Sequence, residues 1–492
     1  MDSGSLWPVG IGDMESLCLP PAEWAETQFR QCQLGDRRRN RRLISFAAAV
    51  AIDPGATTPV QTRTWSSCKG AYRFMDCADV HFGALVEPHC RETREKVSTT
   101  GRSLVIHDTT EISLTHLHRP LEGLGLTGSG LRQGFHLHTA LKIDAATQEV
   151  HGLAGQILFC RQRKPRRPDG KRETVEQSLK RPRESEVWRN LIAQVGAAPA
   201  GERLVHVCDR GADNYEVYAQ AALLGTGWII RAAQLRRKIR PVPKEGVADS
   251  STTPLETWLS QACFVAGYEV EVVAKAQRPA RTATVELRWA RIEMPRRSPM
   301  SAWAKAQAPS AIRMSAVEVV ERRPPKGAAP LRWVLLTSED VGTADEARQV
   351  ATDYARRPLI EDYHKALKSG CHVEERQYQS ASRLERITAV LCVTAVRLLT
   401  IRNLSRTEPD RPAERAAPRE WIEMLRRYTA IHFPKARLDG WTIDEFTRRL
   451  AMLGGFLGRK GDGLPGWITL SRGATKLLHL LEGRALARDD CG

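Results

Sequence analysis

A chain of 492 residues is long enough for a sizeable core and about two or three domains. Its 74 Lys and Arg residues against 57 Asp and Glu leave a formal net charge of +17. That charge points to a polyanionic partner, nucleic acid before a membrane surface, and no apolar run is long enough to span a bilayer.

The first residues, MDSGSLWPVGIGDMES, lack the basic-then-apolar order of a signal peptide. The 11 cysteines form no CxxC pair and stand singly, several within apolar runs, which suits reduced thiols in a cytosolic protein better than a disulfide framework. Cys68, Cys77, His89 and Cys90 are near one another in sequence, but their spacing matches no usual zinc-ligand pattern.

Residues 20–95 read as helical, with PPAEWAETQF opening one segment and LISFAAAVA (43–51) supplying a strong apolar run. Between them Arg37, Arg38, Arg39, Arg41 and Arg42 crowd into one short run after Asp36. In so basic a chain this run reads as a phosphate-gripping arm, with a solvated helix face as the plain alternative. KGAYRF (69–74) adds a second cluster of cations and aromatics.

From about residue 101 the pattern changes to strands. SLVIHDTT (103–110) reads as a buried strand ending on Asp108, and HLHTALKIDA (136–145) with EVHGLAGQILFC (149–160) as a hairpin. ERLVHVCDRGAD (202–213) repeats the first theme, an apolar strand, then Asp209, then a glycine turn. A helix over 214–224 and a strand in GWIIRAA (227–233) complete an α/β layout with a mixed sheet. The segment 161–183 carries ten Lys or Arg against three acids and reads as a basic loop, either a DNA contact or a solubilising one. Residues 235–325 read as a β-rich insertion, and LRWVLLTS (331–338) returns to a buried strand. A helix over about 343–356 precedes Pro358, which favours the first turn of a new helix. After residue 380 the chain reads as helical, with 409–418 as a polar linker.

YARRPLIEDYHKALK (354–368) surrounds one acid, Glu361, with Tyr354, Arg357, Lys365 and Lys368 at offsets of −7, −4, +4 and +7. One helix would gather all five on a single stripe. Two readings fit the spacing equally: an acid that holds a metal among phosphate-gripping cations, or an exposed helix with ion pairs such as Glu361–Lys365. Asp108 and Asp209 sit at strand ends, where an α/β sheet binds ligands. Three carboxylates from separate elements can hold two divalent cations about 4 Å apart, and Mg²⁺ suits oxygen ligands shared with phosphates.

HDTT at Asp108, VCDRGAD at Asp209 and YARRPLIEDYHKALKSG around Glu361 resemble the DDE transposases of the insertion-sequence-four family. The resemblance spans nearly the whole chain and includes LGDRRRNRRL, GAYRF, LRWVLLTSE and LAMLGGFLGRKGDG. It implies an α/β fold with an RNase H-like mixed-sheet core whose metal-binding catalytic triad is Asp108, Asp209 and Glu361, loaded with two Mg²⁺ ions or with Mn²⁺ in their place. It assigns Tyr354, Arg357, Lys365 and Lys368 to DNA phosphates and Trp333 to stacking on a base flipped out of the transposon end. Arg37, Arg38, Arg41 and Arg42 fall in its N-terminal end-binding helices. The domains it implies are 1–95 (DNA-end binding), 96–234 and 326–378 (the catalytic core in two parts), 235–325 (the β-rich insertion) and 379–492 (helical dimerisation).

The expected partners are double-stranded DNA, as terminal inverted repeats and as target, and a second copy of the chain in a synaptic homodimer. The expected setting is the bacterial cytoplasm, and the expected chemistry is strand cleavage, hairpin formation and resolution, and strand transfer. A nuclease on the same fold and a DNA-binding protein without catalysis are the alternatives. Three departures from the family pattern stand out: Pro358, which interrupts the stripe before Glu361, the basic character of 161–183, and the density of arginine in 37–42.

Overall fold

The computed structural model describes residues 19–115, 121–128, 132–161, 173–179, 183–243, 251–272, 281–326, 330–459 and 461–489. The first sixteen residues and most of the basic segment 161–183 therefore lie outside the described residues. Five helices come first: α1 (Pro21–Phe29), α2 (Arg37–Ile52), α3 (Thr58–Thr62), α4 (Trp65–Met75) and α5 (Phe82–Glu95). Asp36 caps α2 by accepting the backbone N–H of Arg38 at 2.8 Å, so the arginine run forms the first turns of a helix. Cations there oppose the positive end of the helix dipole. That placement is unfavourable for stability and favourable for gripping an anion.

Twelve strands join one mixed sheet: β1 (Arg102–Ser113), β2 (Gly125–Thr127), β3 (Arg132–Asp144), β4 (Val150–Phe159), β5 (Arg203–Cys208), β6 (Gly227–Arg231), β7 (Lys238–Pro241), β8 (Thr253–Pro254), β9 (Val265–Val272), β10 (Arg281–Pro295), β11 (Ala311–Glu321) and β12 (Arg332–Thr337). Their order is β2-β3-β1-β5-β6-β12-β11-β10-β7-β8, with β4 beside β3 and β9 beside β10. The β1–β5 and β5–β6 pairs are parallel, and the remaining pairs are antiparallel. The hairpin expected over 136–160 is the β3–β4 pair. The strands of 235–325 do not form a sheet of their own: β10 and β11 extend the central sheet through β12.

Side-chain alternation along a strand explains why these segments read as continuous apolar runs. Ile229 of β6 and Leu335 of β12 enter one core, whereas Trp228, Ile230, Val334 and Leu336 enter the other. Both faces are buried, so the central positions of these strands are apolar on both sides. The first core takes in α1, α2, α4 and α5, and the second lies against α7 (Glu186–Val195) and α8 (Tyr215–Leu223), with α6 (Val175–Ser178) preceding them. Short helices α9 (Leu255–Ser260) and α10 (Ala302–Gln307) flank the outer strands.

The chain then runs through α11 (Ala344–Ala355), α12 (Pro358–Lys365), a π-helical turn (Ala366–Gly370) and the 27-residue α13 (Ala381–Thr407). Buried residues occur on every side of α13, as expected of a helix passing through a core. Helices α14 (Arg419–His432), α15 (Ile443–Leu453) and α16 (Trp467–Asp489) share a smaller core around Trp421, Trp441, Phe446 and Leu477. The stretch 409–418, expected as a polar linker, is packed instead. Ala413 and Ala417 are buried, and Ala413 donates its N–H to the carbonyl of Trp441.

Among the described residues no helix is long and apolar enough to cross a membrane. His89 spends both ring nitrogens within the fold, on Gln28 at 2.6 Å and on the Leu153 N–H at 3.1 Å. Its environment is that of a satisfied core histidine.

Candidate catalytic site

The parallel pairing of β1 with β5 ends at Ile106 opposite Val207. Two residues further along, Asp108 on β1 and Asp209, the first residue past the end of β5, therefore stand level on the side of that pair. Ile106 and Val207 belong to the first core, as do Ile360 and Tyr363 of α12. Helix α12 thus packs over the face on which both acids emerge, and Glu361, in its first turn, meets them there. One expectation needs correction: strand β1 does not end on Asp108 but continues to Ser113, because TTEIS keeps pairing with β3. The new helix expected at Pro358 is present, α11 ending at Ala355 and α12 beginning at Pro358, so the five offsets around Glu361 do not lie on one helix.

What gathers the acids is Arg357. Its guanidinium lies 3.8 Å from Asp108 Oδ2, 3.8 Å from Asp209 Oδ2 and 3.2 Å from Glu361 Oε1. Asp209 also accepts the Gly211 N–H at 2.8 Å, capping the turn after β5. Glu361 pairs with Arg357, and Lys365 lies instead 3.6 Å from Asp362, which removes the Glu361–Lys365 pair expected of a plain surface helix. Asp108 is the most enclosed of the three acids, its side chain 17% exposed against 33% for Asp209 and 37% for Glu361. Burial pushes its carboxyl up to about 6, against the pull of Arg357 and with the help of Asp209 and Glu361.

One guanidinium cannot balance three carboxylates. The surplus negative charge, on oxygen donors alone, fits hard divalent cations such as Mg²⁺. Among the described residues no three His, Cys, Asp or Glu side chains stand ready around one point; here the Arg357 guanidinium stands among the carboxylates. The donor set suits a divalent cation only once that side chain yields.

The other expected residues are dispersed around this corner. Tyr354 is buried at the end of α11, its ring edge-on to Trp333 of β12 at 5.3 Å between centroids. Trp333 is half-buried. Lys368 lies 3.1 Å from Glu374 Oε1, so both Lys365 and Lys368 rest on acids. Arg37, Arg38 and Arg41 are exposed on α2, and Arg42 is half-buried.

Sequence reasoning passed over His364. It is one turn beyond Glu361 on α12, buried, with Nδ1 3.9 Å from Asp108 Oδ2. Burial pushes it down to about 3, with Lys368 and Arg357 adding to the fall, so it stands neutral beside the acid. Its offset of +3 from Glu361 was the available signal. Beneath Asp108, His107 Nε2 and His206 Nδ1 share a hydrogen bond at 2.9 Å, a pairing invisible without strand register.

One comparison bears on this arrangement from the opposite end of the chain. Residues 21–80, spanning α1 to α4 and the turn before α5, match a family model for transposase DNA-binding, which supports a DNA-binding transposase.

Proposed function

We propose that the protein is a cut-and-paste DDE transposase of the insertion-sequence-four type, with an RNase H-like core. The observation that carries the reading is the convergence of Asp108, Asp209 and Glu361 on one guanidinium at the end of the parallel β1–β5 pair. The sheet order β3-β1-β5-β6 and the transposase match over residues 21–80 support it.

Asp108, Asp209 and Glu361 would hold two Mg²⁺ ions, whose chemistry is to activate the attacking oxygen and stabilise the leaving one. Arg357 leaves the carboxylates for a DNA phosphate, and Lys365 and Lys368 exchange Asp362 and Glu374 for phosphates in the same way. Trp333, backed by Tyr354, offers its ring to a base taken out of the duplex. Four in-line displacements then follow at one site. Water cleaves one strand and leaves a 3′-OH. That hydroxyl attacks the opposite strand and closes a hairpin, a second water opens the hairpin, and the 3′-OH attacks target DNA. Each exchanges one phosphodiester oxygen for another. Two copies of the chain pair the two ends.

A duplex carrying the inverted repeats that flank the coding sequence should be nicked and converted to a hairpin by the purified protein with Mg²⁺ or Mn²⁺. Cutting that ignores the repeats would identify a nuclease instead. Tight binding without cutting would identify a DNA-binding protein that lacks catalysis.

Arg357→Gln separates two roles of that side chain. Removing the cation from among three carboxylates should tighten Mn²⁺ binding to the DNA-free protein about tenfold, roughly 1.4 kcal/mol, as read by titration calorimetry. Cleavage should fall because the phosphate contact is lost. Unchanged or weaker Mn²⁺ affinity would show that Arg357 does not compete for the carboxylates.

A further inference from the structure

Helix α4 presents an aromatic side chain to water for no structural gain. Trp65, at its first position, is 78% exposed, more than any other large apolar side chain among the described residues. The helix needs no help from it to pack: Cys68, Ala71, Phe74 and Met75 make up its buried face, and Thr64 caps its start by accepting the Ser67 N–H. Trp65, Lys69 and Arg73 follow one another at intervals of four residues, so they form one stripe. Lys69 and Arg73 are exposed and have no acidic partner among the described residues.

A second cationic stripe runs beside it. Arg38, Arg41 and Ser45 are exposed along α2, and Arg42 at the edge of that stripe lies across α4. A Cβ at Gly70 would fall 2.6 Å from Arg42 Cζ, so the Arg42 guanidinium lies directly against α4 there. Arg38, itself 3.0 Å from Asp36 Oδ2, stays at the surface, whereas Arg39 is turned elsewhere, onto Asp79 at 2.7 Å and the Leu34 carbonyl at 2.7 Å. The result is a basic surface on α2 and α4 with a single bare indole at one end, within the segment that matches transposase DNA-binding.

We infer that Trp65 contacts bases of the terminal repeat as an apolar wedge, while Lys69, Arg73, Arg38 and Arg41 hold the flanking phosphates. The inference rests on the proposal that this protein binds transposon ends. The division of labour follows from chemistry. Cations on phosphates give affinity without sequence information. An indole carries no charge to exchange for counter-ions, and gains only where a base face or a thymine methyl covers it. The earlier reading of KGAYRF as one cluster of cations and aromatics does not extend to its rings: Phe74 is buried, and Tyr72 packs edge-on against Tyr378 under Arg383. Trp65, just outside that motif, is the aromatic left for DNA.

Fluorescence anisotropy on two duplexes tests this, one carrying the repeat that flanks the coding sequence and one with the same bases scrambled, each over a salt series. Trp65→Ala should weaken repeat binding about tenfold, change scrambled binding less than about twofold and leave the salt slope unaltered, and Trp65→Phe should recover part of the loss. Lys69→Ala should weaken both duplexes and lower the slope by about one. Equal loss on both duplexes, no loss on either, or a change in self-association of DNA-free Trp65→Ala by sedimentation would overturn the assignment. Wild type that fails to discriminate the two duplexes would overturn the end-binding reading itself. Trp65 is too exposed for its removal to unfold α4, and a thermal melt of each variant verifies this.

Discussion

Asp108→Asn is expected to abolish strand cleavage and, in the metal-free protein, to raise thermal stability. The catalytic loss should be at least ~10³-fold, about 4 kcal/mol of transition-state stabilisation, with end binding within about twofold of wild type. The stability gain follows from the sign of the shift. In the fold the carboxyl titrates at about 6, above its ordinary value of 3.8, because burial disfavours the charged form. Such a raised acid contributes most below about pH 4, and its contribution is lost as pH rises through 6. Asparagine carries no charge to bury, so the variant should gain on wild type between those limits, by ~3 kcal/mol at most. Melts in a chelator at pH 5 and pH 8 measure the difference. A side chain that served only as an ion-pair partner for Arg357 would behave in the opposite way, and a fall in stability at pH 8 would show that the Arg357 pair outweighs the cost of burial.

Arg386→Met should strongly destabilise the packing of α13 against the N-terminal helices. Arg386 rises from α13, buried, and donates to the carbonyls of Met75, Val80 and Cys77. The Met75 carbonyl closes α4, and those of Cys77 and Val80 belong to the turn before α5, where Cys77 also accepts the Val80 N–H. Arg383 reinforces the same turn by pairing with Asp76 at 2.5 Å. Methionine fills much of the volume but takes the Arg386 donors from the Met75 and Val80 carbonyls, which costs ~3–5 kcal/mol. Urea denaturation should show a lower midpoint at unchanged slope. A loss under about 1 kcal/mol would mean that the turn is held by packing alone. The interaction also has a functional side, because this turn fixes α4, and with it Trp65 and Lys69, relative to the sheet that carries the acids.

Much of the sheet is legible in the sequence because burial on both faces leaves an unmistakable trace. VHVC and WVLLT carry no charged residue, and β5 and β12 stand where those runs are. Asp209 is legible for the same reason, as the first polar residue after a run. Asp108 is harder. The residues after it, TTEIS, have the β-branched character of a strand and remain paired with β3, so the end of the strand is not where the acid is. Its position is set by β5, whose earlier end leaves Asp108 and Asp209 level. The periodicity around Glu361 was a true signal with the wrong cause. Pro358 divides the stripe, and Arg357 approaches the acids from the junction between two helices, not from the face of one. His364 and the His107–His206 pair needed packing to be seen at all.

The sequence by itself determined the basic character of the chain, the apolar strands, the two aspartates that follow them and the cation-flanked glutamate. These are properties of local composition and period, which no fold is needed to express. Tertiary structure alone decided that the three acids share one guanidinium, that Lys365 and Lys368 rest on Asp362 and Glu374, and that Trp65 is bare while Phe74 is buried. The physical reason is range. Hydrophobic period is written within ten or so residues, whereas the charge balance of the acid corner depends on side chains from β1, the turn after β5 and α12, separated by a hundred residues or more and brought level only by strand register and helix packing.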